Sequence, residues 1–434
     1  MFFLKKYRDS SLVKNSFILI LGTSIAQFLP LIIYPILARL YSPDDFGFLA
    51  TLTAITSILC VISTGKYESA ILIADNETKS INLIALVFAV SLIVLLLISI
   101  FVCLFIGSIK DFLGIEKSGF YLLICPLSAL FINVFNVYNE WCVRNKLYKR
   151  LSYNKIVSST MVSGGKLVFG VFRFFNSGLI VGDLSGRALT AFVCLHRMYV
   201  HELHLLKSIS LKQIVTQARR FKDFPKFTMP AQLLNTVGGA VPVLLLGKYY
   251  SGSDLGHFSM TMSALMIPVN VISISIRDVF RQKANEIYKG GNSFRGLFKK
   301  MFIVLFIVTF VCSIGVYPVL PHFFTLVLGE KWLETGEIAQ ILLPMIALDF
   351  VAMSLSGVLT ITEKLKYNLY WQIYFVFQDM YLYVSISVIS ILLGSLYFTS
   401  FYDTIFIFSL GRSTAYLFLL FLSYKFSNEV LTNR

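Results

Sequence analysis

Long apolar stretches separated by short polar turns run through the whole chain of 434 residues. A bilayer core of about 30 Å needs about 20 apolar residues per crossing helix. Twelve stretches reach that length, at roughly 16–38, 46–63, 80–107, 119–139, 156–174, 178–199, 225–247, 255–276, 301–324, 338–361, 370–393 and 402–424. The pattern predicts twelve membrane-crossing helices. The first stretch is too long for the apolar core of a secretory signal and has no small-residue cleavage site, so it counts as a span.

The turn after the first span, Arg39-Leu40-Tyr41-Ser42-Pro43-Asp44-Asp45-Phe46-Gly47, returns after the seventh as Lys248-Tyr249-Tyr250-Ser251-Gly252-Ser253-Asp254-Leu255-Gly256. At an offset of 209 residues, four of nine positions are identical and the leading cation is kept. Six is an even number of spans, so both halves of such a duplication start on the same side and the repeats are parallel. The expected fold is an all-α polytopic membrane protein, with about twelve transmembrane helices in two six-helix bundles and a cavity between them. The expected divisions are an N-terminal lobe over 1–200, a basic cytoplasmic linker over 201–224 and a C-terminal lobe over 225–434.

Composition agrees with this pattern. Apolar residues make up 56% of the chain and charged ones 14%, with a mean hydropathy of +0.75. That leaves too little polar surface for a water-soluble protein, which is about 25% charged. Thirty-eight Lys and Arg stand against 23 Asp and Glu. In a soluble protein this excess would point to nucleic acid. With the N-terminus placed in the cytoplasm, and cations within three residues of a span end counted with the adjoining loop, 29 of the Lys and Arg fall in inner segments and 6 in outer ones. Such alternation is the positive-inside bias, so both termini are expected in the cytoplasm and nucleic acid is excluded as a partner. Cysteines 60, 103, 125, 142, 194 and 312 lie in or beside apolar stretches without CxxC spacing and read as small hydrophobes.

Charges inside spans are costly to insert and therefore informative. Away from the span ends they are Lys166, Arg187 and Arg412, with Asp183, Asp349 and Asp379. Asp183 and Arg187 are one helical turn apart and can pair within one helix. Gly178, Gly182 and Gly186 on that helix form a ridge of small residues suited to close packing. Lys166, Arg412, Asp349 and Asp379 have no partner at helical spacing, so they either pair between helices or face a wet cavity. Arg39, Lys66 and Lys248 sit at span ends, and Glu68 is close enough to neutralise Lys66. Asn133, Asn136, Tyr138, Asn139, Gln232 and Asn235 are the polar candidates for lining a cavity. No GxxxxGK[ST] loop and no GxSxG elbow occurs, and His201-Glu202-Leu203-His204 has the wrong spacing for a zinc helix. Neither a catalytic site, a metal nor a cofactor is expected.

The first span and the turn beyond it carry Gly22-Thr23-Ser24, Ala26-Gln27, Pro30, Pro35, Arg39, Tyr41-Ser42-Pro43 and Phe46-Gly47, followed by Lys66-Tyr67-Glu68 and Ala70-Ile71. Phe224-Pro225, Met229-Pro230, Asn235, Pro242, Gly256, Pro268 and Val279-Phe280 continue the pattern. With these residues the chain resembles oligosaccharide-lipid flippases of the Wzx type, within the multidrug/oligosaccharidyl-lipid/polysaccharide exporter superfamily. It departs from many of them at Ser263, where an Arg is common. The resemblance implies a bacterial inner-membrane protein that moves a polyprenyl-diphosphate-linked O-antigen or related polysaccharide repeat unit from the inner to the outer leaflet. It implies alternating access without an ATPase, in a pathway to lipopolysaccharide or a related polymer. The partners implied are the lipid-linked oligosaccharide, membrane lipids, a polysaccharide polymerase and a chain-length regulator. The diphosphate needs cations, for which Arg39, Lys66, Lys166, Arg187, Lys248 and Arg412 are the candidates. Asp183, Asp349 and Asp379 are the candidates for coupling to an ion gradient. The rival functions are a cation-coupled multidrug exporter of the same superfamily, and a membrane polysaccharide polymerase or ligase. Short outer loops weigh against the enzyme.

Overall fold

The computed structural model describes residues 11–115, 119–172, 177–362, 364, 366–367, 370–375, 377 and 400–430. Among them every regular element is helical. The chain divides into two compact units, Met1–Ser253 and Asp254–Arg434. The first holds α1 (Ser11–Leu40), α2 (Pro43–Thr64), a 3₁₀ turn (Tyr67–Ile73), α3 (Glu77–Leu104), α4 (Ile106–Leu113), α5 (Ile124–Arg144), α6 (Tyr148–Phe172), α7 (Gly178–Leu206), α8 (Leu211–Arg220) and α9 (Met229–Tyr249). The second is built from α10 (Gly252–Lys289), α11 (Arg295–Val316), α12 (Leu320–Leu328), α13 (Leu333–Ser354), α14 (Val358–Ile361) and α15 (Phe401–Phe426).

Ten helical segments among the described residues are long and apolar enough to cross a membrane, and the protein is a multi-pass membrane protein. Two of the twelve expected spans are not among the ten. The eleventh, 370–393, falls largely outside the described residues. The fifth is α6, whose 25 residues are long enough to cross but include Lys149, Arg150, Lys155 and Lys166 among many Ser. Part of that polarity has a structural reason, because the face of α6 that carries Lys155 and Lys166 lines a cavity.

The turn into α2 shows how the chain reverses between spans. Ser42 Oγ accepts from the Asp45 N–H at 3.3 Å and the Ser42 N–H donates to the Asp45 carboxylate at 3.1 Å. With Pro43 pre-set at the first helical position, this capping box starts a new helix two residues after α1 ends. The same punctuation recurs one repeat later. Leu40 and Tyr249 end their helices 209 residues apart, and Pro43 and Gly252 begin the next ones at the same spacing. The duplicated turn is therefore duplicated structure. The helix α9, which opens the second sequence repeat, packs along α2 and so belongs to the first unit.

The small-residue ridge of α7 packs against α6. A Cβ on Gly182 would stand 2.6 Å from the Lys166 Cα, and one on Gly186 would collide with the Val162 backbone. Only glycine permits this approach, and it brings two ionisable helices within side-chain reach. Filling the contact should force them apart. Gly186→Leu is expected to lower stability by about 1–3 kcal/mol, the usual cost of overpacking. A depressed thermal midpoint of the detergent-purified protein would register it, and an unchanged midpoint would refute the close packing.

The short helix α8 is tied down at both ends. The Ser210 N–H donates to Asn82 Oδ1 at 2.9 Å, and Tyr67 Oη donates to the Ala218 carbonyl at 3.3 Å. At its C-terminus the Arg220 guanidinium grips Asp75, which also pairs with Lys79 at 2.6 Å. Hydrogen bonds from Arg220 and then Lys79 hold the Asp75 carboxyl well below the usual carboxylate range. A depressed carboxyl supports the folded state above its unfolded-state pKa of about 3.9 and loses that support as pH falls further. Hydrogen exchange of the α8 amides should accordingly be slow and flat from pH 7 to about 5, after correction for intrinsic rates, and accelerate below about pH 4. Asp75→Asn should remove the acid-sensitive step. Its persistence in that variant would rule out Asp75 as the cause.

Candidate functional site

Four helices of the first unit contribute one stripe each to a cavity of about 500 Å³. From α6 come Lys155, Ser158, Ser159, Val162, Ser163 and Lys166, spaced at three and four residues as one helical face requires. The stripe of α1 includes Thr23, Gln27, Pro30 and Tyr34, while α5 adds Phe131, Phe135 and Asn136. Asp183, Arg187 and Thr190 complete the wall from α7.

Polar anchors fix these helices in register. Ser159 Oγ donates to the Ala26 carbonyl at 2.7 Å and Ser152 Oγ to the Ile18 carbonyl at 3.0 Å, locking α6 onto α1. Tyr41 Oη donates to the Lys166 carbonyl at 2.7 Å, which fixes the backbone of this cation. On that frame Lys166 Nζ lies 2.9 Å from Asp183 Oδ1, and Arg187 Nε bonds to Asp183 Oδ2. Asp183 is only 5% exposed, so the trio is a buried ion cluster with one net positive charge. Lys155 adds a second, its Nζ donating to Thr23 Oγ1 at 3.0 Å. Among the described residues Arg187 uses only Nε, which leaves its two terminal nitrogens for the cavity. A guanidinium so placed can offer two parallel hydrogen bonds to a phosphate.

Of the nine charged residues singled out in the sequence, three converge here: Lys166, Asp183 and Arg187. The expected intrahelical pair Asp183–Arg187 forms, and Lys166 joins it from the neighbouring helix. The others lie elsewhere. Arg39 is exposed in the last turn of α1. Lys66 sits in a left-handed turn with Gly65 and pairs with Glu68 at 3.1 Å. Lys248 is exposed at the end of α9, 4.6 Å from the Phe112 ring centre. In the second unit, Arg412 is 6% exposed and stacks 3.6 Å over the Phe375 ring. Asp349 is 1% exposed on α13, close to Tyr416 and within electrostatic reach of Arg412. Asp379 lies outside the described residues.

Asn136 lines the cavity as its residue type allowed, whereas Asn133 is bonded to Ser63 and Ser91 in the buried interior at 2.8 and 2.9 Å. Sequence reasoning missed Lys155 and Thr23. Lys155 stands one residue outside the apolar stretch and was counted with the inner-loop cations, although the stripe 155–159–162–166 marks it as a member of the same face.

A model of the family described as "Polysaccharide biosynthesis protein" matches residues 36–337. The chain is 25% identical to the teichuronic acid biosynthesis protein TuaB of Bacillus subtilis (strain 168) over 56% of its own length, and it spans half the length of that relative. Among solved structures, lipid II flippase MurJ in its inward closed conformation aligns with 94% of this chain and 87% of its own, at a TM-score of 0.69 and 13% identity. An inward-facing MATE-family multidrug resistance transporter of the MOP superfamily aligns with 92% of this chain and 93% of its own, at a TM-score of 0.66 and 13% identity. At such identities these likenesses establish the fold, which is that of MOP-superfamily transporters.

Proposed function

The chain belongs to the polysaccharide biosynthesis protein family, and from that premise we propose that it is a flippase for a polyprenyl-diphosphate-linked polysaccharide repeat unit. The observation that carries the reading is the buried cluster Lys166–Asp183–Arg187, with Lys155 beside it, in a cavity large enough for a small-molecule headgroup. Its net charge suits an anion, and the hydroxyl and amide groups of Thr23, Gln27, Ser158, Ser159 and Asn136 suit sugar hydroxyls. Without such partners each buried hydroxyl would cost a few kcal/mol, which makes unaided passage of an oligosaccharide prohibitive. The cavity keeps the headgroup solvated while the prenyl chain stays in lipid.

The substrate we assign is an O-antigen or related repeat unit, delivered from the inner to the outer leaflet of a bacterial inner membrane for a polymerase and its chain-length regulator. Access to the cavity alternates between the two sides of the membrane. Asp349 is the carboxylate we assign to gradient coupling. Deleting the gene in its native host should abolish the surface polymer and leave a single-repeat polyprenyl diphosphate in the inner leaflet. Intact polymer with new drug sensitivity would replace this reading with drug export. Single repeats stranded in the outer leaflet would replace it with polymerisation.

A further inference from the structure

Two of the cavity's three cations, Lys166 and Arg187, are not idle when no substrate is present, because both are engaged by one carboxylate. We infer that Asp183 is an internal stand-in for the substrate's phosphate, holding Lys166 in the unloaded cavity and giving it up on loading. The inference rests on the proposed diphosphate substrate and adds the means by which the site can both bind and let go.

The two contacts of Asp183 are not equivalent. Arg187 lies one turn away on the same helix, so its Nε can keep the Asp183 oxygen while its two terminal nitrogens grip a phosphate. Lys166 comes from α6, and its ammonium is a point charge on a flexible four-carbon stem. The glycine contacts of Gly165, Gly182 and Gly186 hold the α6 and α7 backbones together, so the exchange needs movement of one side chain only. Asp183 is nearly inaccessible, and two cations left there without a counter-charge would be costly in a membrane interior. An arriving diphosphate carries more negative charge and more acceptor oxygens than one carboxylate, so Lys166 transfers to it. On release Lys166 returns to Asp183, which offsets the loss of the phosphate contact. Asp183 is thus a positioning residue and a competitor at once, and a site without it should bind tightly and turn over slowly.

The test uses the full-length protein in detergent, with inorganic pyrophosphate as the probe. Asp183→Asn keeps the shape and removes the competing charge. It is expected to bind pyrophosphate about tenfold more tightly than wild type or better, the effect of removing one negative charge beside the site. In cells the same variant should export less polymer at equal abundance. A merely structural role for Asp183 would lower binding and export together, and that result overturns the inference. Equal binding by variant and wild type overturns it too. Should Asp183→Asn not fold, the double variant Lys166→Gln/Asp183→Asn decides, since removing both members of a buried pair is tolerated better than removing one. Its affinity should stay within about threefold of wild type, because cation and competitor leave together. A loss of about tenfold or more would show that Lys166 binds without competition from Asp183. If neither wild type nor variants bind pyrophosphate, the diphosphate reading of the cavity falls and this inference with it. Binding by wild type without tightening in Asp183→Asn defeats the inference alone.

Discussion

Arg187→Ala is expected to weaken binding of a diphosphate-bearing lipid by about 100-fold, the equivalent of two charge-assisted hydrogen bonds at about 1.5 kcal/mol each. Polymer export should fall with it while the protein stays at normal abundance. The fold is expected to survive because Asp183 keeps Lys166 as a partner at 2.9 Å, so the truncation leaves a neutral buried pair in place of an unpaired charge. Arg187→Lys separates charge from geometry. It retains the positive charge but lacks a planar fork that can hold Asp183 through Nε and present two further nitrogens to one phosphate. Partial recovery, about tenfold short of wild type, is the expected result for the lysine variant. Full recovery would mean that charge alone suffices and that the fork has no role. Normal export by Arg187→Ala at normal abundance would remove Arg187 from the substrate site.

The approximate extent of ten of the spans was legible because a bilayer imposes one length on every crossing helix, and the apolar stretches repeat that length along the chain. The duplication could be read from nine residues because a helix start needs particular chemistry. Ser42 and Asp45 form the capping box in the first copy, and Ser251 with Asp254 stands at the same positions of the second. The ridge Gly178–Gly182–Gly186 announced a close helix contact, but a ridge does not name its neighbour. That neighbour is α6, and it supplied Lys166 as the second partner of Asp183 from 17 residues upstream. Hydropathy also blurred the most informative helix. The stripe from Lys155 to Lys166 lowers the apolar average of α6 because it faces the cavity, so the residues that build the site are the ones that weaken the signal for the span. The remaining candidates looked alike in the sequence because a cation at a span end can snorkel to the surface or turn inward. Arg39 and Lys248 turn out exposed, and only packing distinguishes them from Lys166.

Asp349→Asn is expected to disconnect transport from the ion gradient while leaving binding in the first unit intact. Asp349 is 1% exposed, and among the described residues its Oδ1 has no hydrogen-bond partner. A buried carboxylate with an unsatisfied oxygen can accept a proton or cation there. The asparagine amide keeps the volume of the side chain and a polar oxygen in the same place, so the fold should persist. What it loses is the charge. Each elementary charge moved through 100 mV is worth about 2.3 kcal/mol, which corresponds to roughly 50-fold accumulation. Proteoliposomes carrying the variant should therefore lose up to about that gain under an imposed proton or sodium gradient, while exchange without a gradient continues. Asp349→Ala is a different perturbation, since it also opens a void in the buried interior, and a loss of stability of about 1–3 kcal/mol is expected. Comparing the two separates coupling from folding. A wild-type response to the gradient in Asp349→Asn would assign coupling to another carboxylate.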